Sequence, residues 1–104
     1  MKFNYKSDLD ILTVEEESYE NYSGSAEFAN FVIDFSEDGD LLGVEIIDAS
    51  EALPLSKEEL GNISELNCFT QINDEFLKIS VEIYINGSKN VVSSNFPADS
   101  GIIA

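Results

Sequence analysis

The stretch Phe31-Val32-Ile33-Asp34-Phe35-Ser36-Glu37-Asp38-Gly39-Asp40-Leu41-Leu42-Gly43-Val44-Glu45-Ile46-Ile47 admits two incompatible readings. As a calcium loop, Asp34, Ser36 and Asp38 occupy the first, third and fifth ligand positions, Gly39 the sixth and Glu45 the twelfth. As a hairpin, Asp38-Gly39 is a two-residue turn, because Gly accepts positive φ and Asp tolerates it. Folding about that turn sets Phe31 against Ile46, Ile33 against Val44 and Phe35 against Leu42, all apolar. The other face receives Val32 with Glu45 and Asp34 with Gly43, as a one-sided sheet requires. The calcium reading leaves Leu42 at the ninth position, where an oxygen or a bound water belongs, and its flanks alternate with period two instead of forming helices. The hairpin is preferred, and Asp34, Asp38, Asp40 and Glu45 remain weak candidates for a divalent-cation site.

Working outward, the same alternation recurs along the chain. A turn over Lys6 to Asp10 pairs Tyr5 with Leu12 and Phe3 with Val14. Around Asn73 to Phe76, Ile72 meets Leu77, Thr70 meets Ile79, Cys68 meets Val81 and Leu66 meets Ile83. Asn86-Gly87 is a further hairpin turn that returns the chain through Lys89 to Phe96. Between the two β halves, Ser50 to Gly61 is helical with Pro54 interrupting it, and Ser56-Lys57-Glu58-Glu59 matches a capping box. Glu15 to Glu27 reads as a long loop and Pro97 to Ala104 as a loose tail. The expected fold is mainly β with a short helical connector, an α+β arrangement of two antiparallel meanders and six or seven strands packed around one core. It forms one domain over residues 1–104, with a β-hairpin half in 1–52 and the connector helix plus second meander in 53–104.

Composition narrows the function. The 104 residues hold 21 Asp and Glu against five Lys, with no Arg, His or Trp and one Cys, for a formal charge of −16. An apolar share of 43% nevertheless predicts a folded chain rather than an acidic tail. Without a basic surface there is no counterion-release term for nucleic-acid binding and no fork to clamp phosphate. An anionic membrane repels such a chain, and no apolar run reaches the roughly 20 residues of a membrane span. The polar start Met1 to Asp8 does not read as a signal peptide, and one Cys forms no intramolecular disulfide, so a cytoplasmic location is expected.

Catalytic constellations are likewise scarce. The absence of His excludes Ser-His and Cys-His dyads, a lone Cys builds no thiolate cage, and the scattered Gly form no phosphate loop. Cys68 falls on the inward side of its strand. No cofactor and no enzymatic activity are expected.

The acidity is uneven, with a balance of −12 over residues 1–52 and −4 over 53–104. Glu15, Glu16, Glu17 and Glu20 are its densest run and supply a surface for a basic protein partner, though plain solvated charge or adaptation to high salt explains the same numbers. Ile11, Val32 and Ile47 point away from the core. They serve either a satellite core under the connector or second β half, or a homodimer or partner face.

Val32 to Ser50, ending in Gly43-Val44-Glu45-Ile46-Ile47-Asp48-Ala49-Ser50, together with Met1 to Tyr5 and Asp10 to Val14, resembles the family catalogued as domain of unknown function 2283. The resemblance covers the first half of the chain and departs from the family at Lys6 and Glu15. It implies a small β-rich domain with no established activity, and no catalytic residue is carried across. The expectation is therefore a non-enzymatic binding or regulatory module, a homodimer whose second copy covers its apolar face. The alternatives are a carboxylate-based calcium site or enzyme, and a salt-adapted protein with no dedicated partner.

Overall fold

In the computed structural model, which describes residues 1–97, the alternating pattern becomes eight strands and two single-turn helices. They are β1 (Lys2–Lys6), β2 (Ile11–Glu15), β3 (Tyr22–Phe28), β4 (Phe31–Ser36), β5 (Leu41–Ile47), α1 (Ala49–Ala52), α2 (Lys57–Leu60), β6 (Ile63–Ile72), β7 (Phe76–Ile85) and β8 (Ser88–Pro97). A five-stranded antiparallel sheet runs β1-β2-β5-β4-β3, and a three-stranded one runs β6-β7-β8. The tail expected beyond Pro97 lies outside the described residues.

The second half is the meander that its turns demand. Every pair expected around Asn73 to Phe76 is present, and Asn86 and Gly87, both at positive φ, return β8 along β7 in unbroken register. The first half differs from a simple meander. Here β3, β4 and β5 are hairpin neighbours, but β2 lies beside β5. That is a Greek key, with residues 16–21 as its long connection. Three inter-strand steps of roughly 4.8 Å separate β2 from β3, about 14 Å, which six residues at roughly 3.3 Å each can span.

β3 corrects the expected loop: only residues 16–21 of the Glu15 to Glu27 interval are irregular, and the strand count is eight. The deciding hairpin also differs in one detail. Phe31–Ile46, Val32–Glu45, Ile33–Val44 and Asp34–Gly43 pair as expected, but a bulge sets Phe35 against Leu41 rather than Leu42. Residues 37–40 form a four-residue connection instead of a two-residue turn, in which the Ser36 amide donates to the Asp40 carbonyl at 2.9 Å and the Gly39 amide to the Ser36 carbonyl at 3.0 Å. The bulge turns Leu41 toward the core, while Leu42 is buried outside the main core cluster. The freed Leu42 carbonyl accepts the Glu16 amide at 2.8 Å, which ties the crossover down.

Both sheets turn their apolar faces into one core. Leu12, Val14, Ile33 and Ile46 come from the first sheet, Leu77, Ile79, Val81 and Ile83 from the second, and Leu53 and Leu60 from the connector, all essentially inaccessible. Phe96 of β8 closes one side, stacking on Phe28 at 4.8 Å and meeting Phe31 edge-on at 5.7 Å. Each such side chain stabilises the fold by about 1.5–3 kcal/mol relative to exposure. The helical interval splits at Leu53-Pro54. The capping box at Ser56 is formed, with the Glu59 amide donating to Ser56 Oγ and the Ser56 amide to Glu59 Oε1, each at 3.0 Å.

Candidate functional site

The open face of the five-stranded sheet and the strand ends beside it gather most of the carboxylates. Register sets the rows of this face: Lys2–Glu15–Gly43–Asp34–Ser25, Asn4–Thr13–Glu45–Val32–Glu27, and Lys6–Ile11–Ile47. Tyr19, carried by the crossover, folds over the first row, and its ring lies 3.6 Å from where a Gly43 Cβ would stand. Its hydroxyl donates to Asp34 Oδ2 at 2.7 Å, and the Ser25 hydroxyl donates to Asp34 Oδ1. Tyr22 stacks on Tyr19 with ring centroids 6.3 Å apart and shares a 2.8 Å hydrogen bond with Ser25. The bond to Asp34, then partial burial, pushes the Tyr19 phenol up to about 12.

This geometry distributes the four weak cation candidates. Asp34 spends both oxygens on Tyr19 and Ser25, Glu45 stands exposed one row away, and Asp38 and Asp40 lie in the connection between β4 and β5. Among the described residues no three acidic or thiol groups are placed to hold a metal ion. A calcium loop flanked by helices is not formed, since strands occupy both flanks.

The run from Glu15 to Glu20 is also divided. Glu15 lies 4.0 Å from the Lys2 ammonium, and Glu17 is 3.8 Å from the Met1 amino group. Glu16 and Glu20 instead join Asp38 and Asp40 around a depression of about 370 Å³ where the crossover meets the β4–β5 connection. None of these four has a cationic partner among the described residues, nor does neighbouring Glu37. A second depression, of about 330 Å³, is lined by Lys2, Phe3, Asn4, Lys6, Thr13 and Glu15 at the β1 edge.

Ile11 and Ile47 face each other across β2 and β5, and Val32 is diagonal to Ile47. Ile47 is 39% exposed and Ile11 and Val32 are half-buried, so among the described residues no satellite core forms over them.

One anchoring group escaped the sequence reading. Asp10, at φ 54° in the first turn, accepts the Tyr5 hydroxyl at 2.7 Å, the Ser50 hydroxyl at 2.6 Å and the Ser50 amide at 3.1 Å. It therefore caps α1 from a distance, whereas Asp48, at the N-cap position itself, makes no side-chain cap. The Ser50 hydroxyl above all holds the Asp10 carboxyl below the usual carboxylate range, and burial and Asp10 together raise Tyr5 to about 12. The only available signal was the Tyr5 to Asp10 spacing within a hairpin turn. Cys68 is buried, and desolvation pushes its thiol up to about 12, which leaves no thiolate nucleophile at neutral pH.

No helix among the described residues is long and apolar enough to cross a membrane. No family model and no solved structure matches the chain. Over 86 residues, 82% of this chain and 73% of the relative, it is 26% identical to an uncharacterised protein of Methanocaldococcus jannaschii. Over 81 residues, 78% of this chain and 66% of the relative, just under two thirds of that protein's length, it is 26% identical to a Methanosarcina mazei protein described as "Putative hypoxanthine phosphoribosyltransferase".

Proposed function

We propose that the chain is a non-enzymatic, cytoplasmic binding or regulatory module whose acidic five-stranded half recruits a basic protein partner. One observation carries this reading: Glu16, Glu20, Asp38 and Asp40 surround a single depression, and none of them has a cationic partner among the described residues. A fold has little reason to concentrate like charges at one end, since they repel across the Debye length of about 8 Å at physiological salt. A lysine- or arginine-rich surface relieves that repulsion on binding.

The test is co-purification from the native host, with elution by salt. The wild type retains a basic protein that leaves as ionic strength rises, and the variant Glu16→Gln, Glu20→Gln, Asp38→Asn, Asp40→Asn retains none. Equal recovery by both proteins would refute the assignment.

A second reading, an enzyme of phosphoribosyl transfer, has one observation in its favour, the similarity to the M. mazei protein over 81 residues. A pyrophosphate-bearing donor would approach a surface of net charge −16 and find two lysines, Lys2 and Lys6, around one depression. Calorimetric titration with hypoxanthine and a phosphoribosyl donor separates the readings. Heat on either addition favours the enzyme, and silence favours the module.

A further inference from the structure

Four strands end the two sheets, and three of them are guarded against pairing with another chain. β1 has five residues with Lys2 and Lys6 at its ends. β3 is bulged between Tyr22 and Gly24 and carries Glu27, and β6 is irregular between Ile63 and Glu65. Bulges, short length and charge are the usual means of blunting a sheet edge. β8 has a Lys near its start and Pro97 at its end, but between them, from Asn90 to Phe96, it has neither bulge nor charge and keeps unbroken register. The two-residue turn makes Ile85–Ser88 a hydrogen-bonded pair, so alternation along the ladder aims the backbone groups of Lys89, Val91, Ser93 and Asn95 outward. Among the described residues, β8 is hydrogen-bonded in the sheet to β7 alone.

We infer that β8 pairs antiparallel with β8 of a second copy, about a two-fold axis at Ser93. In that register Val91 faces Asn95 of the other copy and Lys89 faces Pro97, so no like charges are opposed. A basic partner has no carboxylate to seek on this strand, which sets this contact apart from the acidic surface. Two-fold pairing also consumes both unguarded edges and leaves the guarded β6 edges outermost, giving a closed assembly rather than an open ladder. The inference does not depend on the partner reading above.

Light scattering of the purified protein across concentration and salt tests it. Wild type shows twice the monomer mass, more so as salt rises from about 0.01 M to 1 M and the Debye length falls from about 30 to 3 Å. Ser93→Lys weakens the dimer about ten-fold or more by placing two lysines across the axis. That substitution makes each copy one charge less negative than −16, so loss of association cannot stem from overall repulsion. Val91→Pro removes an outward backbone amide from the intermolecular ladder without taking a bond from β7, so it gives the same loss and serves where the first variant fails to fold. A monomer under every condition overturns the proposal. So does a dimer that both β8 variants leave intact, whether or not Ile47→Glu breaks it.

Discussion

Residues 2–47, which build the five-stranded sheet, carry twelve carboxylates and two lysines, whereas residues 63–97, which build the three-stranded sheet, carry four and two. Their inner faces scarcely differ: Leu12, Ile33 and Ile46 meet Leu77, Ile79 and Ile83 in one cluster. The asymmetry thus resides in the solvent-facing residues and is no requirement of the fold. The sheets also differ in wiring. The second is two local hairpins, while the first closes through a Greek-key crossover with non-glycine residues Asp10, Asn21 and Ala29 at positive φ. Excess charge and most of the positive-φ residues of the two sheets thus fall on the same half.

The shared core is the first point at which this comparison can be broken. Ile46→Ala and Ile79→Ala, one in each sheet, should each cost about 2–5 kcal/mol. Both variants should unfold in a single transition by calorimetry, whereas two separated transitions would show two independent units. Gly43→Ala sharpens the contrast next, because a Cβ there would stand 3.0 Å from the Val14 carbonyl oxygen, a backbone atom fixed in the ladder. A loss of about 1–3 kcal/mol is expected in denaturant unfolding. Ser56→Ala removes half of the capping box that holds the connector between the sheets and should cost about 1 kcal/mol.

The smallest effect is that of Tyr19→Phe, about 0.5 kcal/mol at neutral pH, since the bond to Asp34 is exposed. Its pH dependence carries the information. The Tyr19 pKa is raised from 10.0 to about 12 by folding, so its contribution is complete below pH 10 and lost as pH climbs toward 12. Wild type and variant should therefore converge in alkaline melts. Asp10 behaves in the opposite sense. Its pKa is lowered by folding, so its contribution holds above the usual carboxylate range and disappears in acid, and Asp10→Asn should match wild type only at low pH.

Legibility in the sequence followed the size of the alternating side chains. β7, with Leu77, Ile79, Val81, Ile83 and Ile85 on one face, was readable with its register. β3 was not, because its inward positions are Gly24, Ala26 and Phe28, and an edge strand need bury little. The Phe35 register slipped because Phe35 and Leu41 enclose five residues, 36–40, and the bulge between that pair and Asp34–Gly43 restores the register of the rest of the ladder. The acidic depression was partly legible. Glu16 and Glu20 belonged to the dense run and Asp38 and Asp40 to the supposed calcium loop, but only the crossover brings the two sets together. Asp10 was invisible because its partner Ser50 is forty residues away.

Hydrogen–deuterium exchange of the protein, free and bound to its co-purified basic partner, asks which half does the binding. New protection over residues 16–20 and 37–40, with residues 63–97 unchanged, is the expected footprint. Protection confined to the three-stranded sheet, or none at the acidic depression, would contradict the assignment of binding to the acidic half.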